Sequence, residues 1–146
     1  MKIKNIYLAA PFFTKEEIEV YKETVTYLRR AGYNVYVPRE HPIPDGWLME
    51  NKLWGKKVFD NDVQAIKKCD TVVTLMWGMY SDAGTAWEQG YAYALGKNII
   101  QVIVDTNGRN NREQDISLMT QNGCTRVMKL SDLLRQKSRI KTINQK

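Results

Sequence analysis

The sequence predicts an α/β domain built on a doubly wound, five-stranded parallel sheet in the flavodoxin-like order 2-1-3-4-5. Three observations carry this expectation. Strand-like apolar runs alternate with helix-like runs along the chain, the pattern of a parallel sheet covered on both faces. The run Thr71-Val72-Val73-Thr74-Leu75-Met76 reads as a strand buried on both sides. Glycine and proline fall between the runs, at Gly32, Gly96 and throughout residues 39–50, where helices must stop or the chain must turn. At 146 residues the chain suits one core. Residues 1–134 are expected to form a single domain and 135–146 a basic tail.

Residues 3–9 read as the first strand. Thr14-Lys15-Glu16-Glu17 is a capping box that opens a helix with an apolar stripe of Ile18, Tyr21, Val25 and Leu28, and Gly32 ends it. A short second strand covers Val35, Tyr36 and Val37. The proline- and glycine-rich loop follows, then a helix over residues 51–68. After the Thr71 strand, Ser81 or Asp82 caps a helix running to about Leu95. Residues 98–104 read as the fourth strand, 105–115 as a polar loop and 125–128 as the fifth strand. No internal repeat or low-complexity segment interrupts the order.

Composition narrows the function. No apolar run approaches membrane-span length, and the N-terminus has no signal-peptide core, so a cytoplasmic protein is expected. Two cysteines, Cys69 and Cys124, at no metal-ligand spacing, suggest structural thiols in a reducing compartment. The net charge of +6 invites a nucleic-acid reading until it is located. Seven basic residues and one acid lie between Arg126 and Lys146, which leaves the rest of the chain neutral. That tail has no aromatic residue to stack on a base, so no nucleic-acid partner is expected. His41 is the only histidine and the acids repeat with no metal-binding spacing, which argues against a metal site and a histidine-based nucleophile.

The acids carry the chemistry. Glu88 sits one turn into the helix that follows the third strand, where open α/β sheets collect their ligands. Thr85 and Glu88 also fit a plain capping box, although that leaves Asp82, Gly84 and Gly90 unexplained. Asp62 falls on the same helical stripe as Trp54, Val58, Ile66 and Cys69. An inward carboxylate must find a partner or shift its pKa, so a salt bridge to a lysine, a helix-end contact or a functional role accounts for it. Together Asp62, Asp82 and Glu88 suffice for covalent glycosyl chemistry, which needs an ionised carboxylate at the anomeric carbon and a proton source for the departing group. Tyr7, at the end of the first strand, lies within plausible reach of Glu88 and is otherwise a core residue.

The loop Ala9-Ala10-Pro11-Phe12-Phe13 lacks the glycines that cradle phosphate. Phe12 and Phe13, with Trp77 and Tyr80 after the third strand, instead suggest an apolar wall for a neutral heterocycle.

These residues resemble the nucleoside 2-deoxyribosyltransferases. The likeness runs through Ile6-Tyr7-Leu8-Ala9, Asn61-Asp62, Cys69-Asp70 and, most specifically, Asp82-Ala83-Gly84-Thr85-Ala86-Trp87-Glu88-Gln89-Gly90-Tyr91-Ala92. The resemblance implies that Glu88 is the nucleophile, that Tyr7 orients it, that Asp62 manages the proton on the leaving base and that Asp82 holds sugar hydroxyls, with Gly84 beside it on the substrate side. It implies exchange of nucleobases on 2'-deoxyribonucleosides through a covalent deoxyribosyl-enzyme, without cofactor or metal. It also implies a homo-oligomer whose sites are completed by a neighbouring subunit. Ser117-Leu118-Met119 looks like the donated segment, with Ser117 and Met119 contacting substrate; the family often has asparagine where Ser117 stands, and Asn122 is a possible substitute. Two rival readings remain: a hydrolase of 2'-deoxynucleoside 5'-monophosphates, with Arg39 or Ser117 supplying phosphate donors, and a nucleoside-binding module that does no chemistry.

Overall fold

The computed structural model describes residues 2–78, 81–105 and 116–136. Five strands form one sheet: β1 (Asn5–Ala9), β2 (Asn34–Tyr36), β3 (Thr71–Met76), β4 (Asn98–Ile103) and β5 (Arg126–Lys129). They lie in the order β2-β1-β3-β4-β5 and every pairing is parallel, as the sequence predicts. All six residues of β3 and all six of β4 are buried, which is why both read as nearly unbroken apolar runs.

Helices cover both faces. The helix α1 (Lys15–Arg30) and the short C-terminal α5 (Leu130–Arg135) pack on the face carrying Ile6, Leu8, Val73, Leu75, Ile100 and Val102. The opposite face, with Tyr7, Val72 and Ile99, is covered by α2 (Asn51–Lys68) and α3 (Ala83–Ala94). A further short helix, α4 (Leu118–Asn122), lies beside α3. Each fully buried Val, Leu or Ile of this double core contributes about 1.5–3 kcal/mol relative to exposure.

The local signals act as read. Thr14 and Glu17 close the capping box of α1 reciprocally, and Gly32 leaves the helix at φ 92°. Asp70 joins the starts of two strands: its carboxylate accepts from the backbone N–H groups of Lys4 and Asn5 and from the Thr71 hydroxyl. The differences are small and physical. The first strand begins at Asn5 rather than Ile3, and the loop after β2 is pinned by two 3-10 turns, Pro38–Glu40 and Gly46–Leu48. Neither α4 nor α5 was marked by an apolar period, because each has too few turns to show one. The expected division at residue 134 falls inside α5, which ends at Arg135; residues 137–146 lie outside the described part, as do 106–115.

The inward stripe expected on α2 needs correction. Ile66 is buried and Val58 is half-buried, but Trp54 is 45% exposed. The first half of α2 overhangs the carboxyl end of the sheet, so Trp54 folds back over Gly46, whose absent Cβ would lie 2.7 Å from the indole. Trp54 thereby lines a pocket instead of the core. Among the described residues no helix is long and apolar enough to cross a membrane.

Candidate active site

The carboxyl ends of β1, β2 and β3 open into a cavity of about 550 Å³. Its floor is polar and its walls are apolar: Glu88, Asp82 and Asp62 meet Phe12, Phe13, Ile43, Trp47, Trp54 and Val58. The sequence separates these residues widely. The topology joins them, because β1 is flanked by β2 and β3 and the loops leaving all three strands converge.

Glu88 is held by β1. The Tyr7 hydroxyl donates to Glu88 Oε2, while Oε1 has no partner among the described residues. Tyr7 is fully buried, so its ring is fixed; Tyr36, its register partner on β2, stacks on it at 5.7 Å and 12°. His41 in turn stacks on Tyr36 at 4.2 Å. The capping-box explanation for Glu88 fails here, because the cap of α3 is Asp82. Asp82 Oδ2 accepts from the Thr85 N–H at 2.8 Å and from the Thr85 hydroxyl at 3.0 Å. Asp82 therefore has a structural task while also lining the pocket, and its Oδ1 has no hydrogen-bond partner among the described residues. Gly84 permits this turn, since a Cβ there would press to 3.1 Å from Asp82 Oδ2.

Burial governs the site's electrostatics. It pushes the Glu88 carboxyl up to about 7; the Tyr7 hydrogen bond pulls the other way, and the charges of Asp62 and Asp82 add to the rise. Asp62 is pushed up to about 6 by burial, opposed by His41. Asp62 has no lysine salt bridge among the described residues, whose ion pairs include Arg29 with Glu40 and Lys56 with Asp60. Tyr7 is held far in its protonated form by burial and by Glu88, so it can only donate to the carboxylate. Two carboxyl groups with raised pKa values in one cavity can hold one proton between them, which suits acid and nucleophile roles.

Phe12 and Phe13 stack on each other at 5.9 Å on the pocket wall, with Phe13 77% exposed. Trp77 is placed differently from expectation: it is half-buried against the α1-side core, and its backbone N–H donates to Ser81. Tyr80 lies outside the described residues. Ser117 caps α4, and Met119 and Leu118 project outward, 82% and 74% exposed, beside a groove between α3 and α4. They do not line the Glu88 pocket of their own chain. The Asn122 amide is taken by the Leu118 carbonyl at 2.8 Å. Among the described residues no group of three or more His, Cys, Asp or Glu is arranged to hold a metal ion.

Several pocket residues escaped the sequence reading. Tyr21 counts as apolar in a periodicity argument, yet it lines the pocket and its buried hydroxyl has no hydrogen-bond partner among the described residues. Gln89, next to Glu88, is fully buried. It accepts from Thr74 at 2.9 Å and donates to the carbonyls of Thr120 and Gly123 at 2.7 and 3.0 Å, which fixes α4 to α3. Trp47 came from a loop whose composition announced only turns; in the same loop Arg39 was read only as a phosphate donor for the rival hydrolase and His41 only as the lone histidine.

Known proteins are similar to this chain in sequence and fold. The chain is 30% identical to a nucleoside deoxyribosyltransferase of Lactobacillus leichmannii, over 91% of this chain and 88% of the relative. It is 27% identical to a nucleoside deoxyribosyltransferase of Lactobacillus johnsonii, over 85% and 87%. Among solved structures, a 2-deoxyribosyltransferase from Bacillus psychrosaccharolyticus superposes with a TM-score of 0.76 at 30% identity, covering 91% of this chain and 92% of that one. A CMP N-glycosidase of Clostridium botulinum, at 20% identity and a TM-score of 0.60 over 89% and 98%, shares the fold. The family model for nucleoside 2-deoxyribosyltransferases matches residues 6–133. With that match spanning nearly the whole described fold, the chain belongs to the nucleoside 2-deoxyribosyltransferase family.

Proposed function

We propose that this protein transfers the 2-deoxyribosyl group between nucleobases through a covalent intermediate on Glu88. The observation that carries the reading is the Tyr7–Glu88 hydrogen bond, which secures one carboxylate oxygen and leaves the other directed to a pocket walled by aromatic rings. The relatives at 27–30% identity bear the corresponding name.

In the first half-reaction Glu88 Oε1 attacks C1' of a 2'-deoxyribonucleoside. The C–O bond forms as the glycosidic C–N bond breaks, and the electron pair leaves with the base, which takes a proton from Asp62. In the second half a different base attacks C1' through a ring nitrogen. The ester bond breaks, its electron pair returns to Glu88, and the incoming base gives up its proton to Asp62. Tyr7 keeps Glu88 oriented in both halves. Asp82 Oδ1 accepts from a sugar hydroxyl, and Phe12 and Phe13 face the heterocycle. No cofactor or metal enters these steps.

Transfer requires that water stay away while bases exchange. We infer that a second copy of the chain closes the site with its Ser117–Met119 segment. The outward projection of Met119 and Leu118 supports this, since apolar side chains so exposed at a groove favour burial against a partner. Incubation with deoxyadenosine, with and without cytosine, tests the reading. Formation of deoxycytidine supports it, release of adenine alone indicates a hydrolase, and no reaction leaves only a binding module.

A further inference from the structure

Three carboxylates, Asp62, Asp82 and Glu88, line the pocket, and Arg39 lines the same pocket. Arg39 follows β2 at the first turn of the Pro38–Glu40 segment, where Pro38 fixes the backbone. Its guanidinium lies over the Phe12 ring, 5.1 Å from the centroid. The acid best placed to neutralise it is its neighbour Glu40, but Glu40 is taken by Arg29, which donates to both of its oxygens at 3.0 and 2.5 Å. Arg39 has neither an ion pair nor a hydrogen-bond acceptor among the described residues. A guanidinium is always charged and can only donate, so five N–H groups in a planar fork stand ready for acceptors brought by a ligand.

Strand order locates that ligand atom. Asp82 and the Glu88 helix follow β3, Tyr7 ends β1 and Arg39 follows β2, so Arg39 lies two strand positions from the sugar-side carboxylates. Two strand spacings are about 10 Å, the reach of a nucleobase extending from an anomeric carbon held at Glu88. Around Arg39 the wall is made of Phe12, His41, Pro42, Ile43 and Trp47, which suits a flat heterocycle. We propose that Arg39 is a specificity-determining residue that reads the acceptor edge of the nucleobase and favours bases with a keto oxygen, such as hypoxanthine, over adenine. This rests on the reading of the pocket as a deoxyribonucleoside site. A 5'-phosphate is the other source of acceptor oxygens, but it would be attached at the sugar, on the side of the carboxylates that repel it.

Deoxyinosine and deoxyadenosine form the discriminating pair, because they differ only in a keto against an amino group and the ring proton that accompanies it. With cytosine as common acceptor, Arg39→Met should lower kcat/KM for deoxyinosine about tenfold or more and leave deoxyadenosine within about twofold. Arg39→Lys should recover part of the loss, because it keeps the charge without the fork. Arg39 is exposed, so folding should be unaffected, and an unchanged Tm checks this. Calorimetric binding of free hypoxanthine and adenine is measured on the same proteins. The wild type should prefer hypoxanthine and Arg39→Met should lose the preference. That binding result stands even if the wild type exchanges neither nucleoside, an outcome that would instead contradict the transferase reading. Deoxyadenosine 5'-monophosphate is assayed as a third donor; equal losses for the two nucleosides, no change in base preference, or a loss confined to this monophosphate would overturn the assignment.

Discussion

The Tyr7 hydroxyl, rooted in the first strand, donates its hydrogen bond to Glu88, one turn into the helix after the third strand. The bond spans 81 positions of sequence and depends on β1 and β3 being neighbours. It fixes one oxygen of the Glu88 carboxyl, and it opposes the effect of burial on that carboxyl by favouring the ionised form.

Tyr7→Phe removes that donor with little change of shape. Exchange should fall about 10- to 100-fold, from the lost alignment of a charged partner. Because the bond lowers the Glu88 pKa, its removal should move the acid limb of the kcat/KM profile to higher pH. A rate–pH series on the two proteins measures both effects.

Asp62→Asn should act on the same limb in the opposite sense. The Asp62 charge helps raise the Glu88 pKa from its usual value to about 7, so a neutral amide should move the acid limb to lower pH. The variant also loses the group that protonates the departing base. Donors with poorly leaving bases should suffer about tenfold more than donors with good ones. Initial rates with one nucleoside of each kind make the comparison.

Glu88 also has a stability signature. Its folded-state pKa of about 7 lies above the ordinary 4.5, so the folded protein holds this proton more tightly than the unfolded chain does. The associated stability is fully present below about pH 4.5 and is lost as pH rises through about 7. Glu88→Gln does not titrate. At pH 8 it should be more stable than the wild type, by on the order of 1–3 kcal/mol, and at pH 4.5 the two should nearly coincide. Denaturant unfolding at both pH values gives the difference.

If Met119 serves a neighbouring site, two inactive variants should rescue each other. Glu88→Ala lacks the nucleophile and Met119→Glu lacks the donated side chain, but in a mixed oligomer some sites receive one intact half from each. Part of the activity should return when subunits exchange, and light scattering should show no active monomer. A fully active monomer would end the shared-site reading.

How much of this was legible in the sequence differs from residue to residue. The five strands and their order followed from the alternation of apolar runs, because burial on both faces leaves an unmistakable pattern in Thr71–Met76 and Asn98–Ile103. Asp62 was legible because a carboxylate conflicts with the apolar stripe it falls on, Glu88 through its place one turn into the helix after the third strand, and Tyr7 and Asp82 chiefly through the family resemblance. Tyr21 was not, since an aromatic ring on an apolar stripe looks like core whether or not its hydroxyl is satisfied. Trp47 was hidden for another reason, and Arg39 was legible only as a phosphate donor of the rival hydrolase: a loop's composition records its turns, while its direction over the sheet is set by packing against α2. Trp54 was assigned to the core because helical spacing cannot tell a helix that ends over the sheet from one that overhangs it.

Covalent capture on Glu88 tests the account most directly. The protein is incubated with a 2'-fluoro nucleoside that forms the intermediate faster than it releases it, then digested and analysed by mass spectrometry. The expected result is a fluorodeoxyribosyl adduct on the peptide containing Glu88, absent from Glu88→Ala and discharged when a second base is added. Steady base release with no adduct, or an adduct on any other residue, would contradict it.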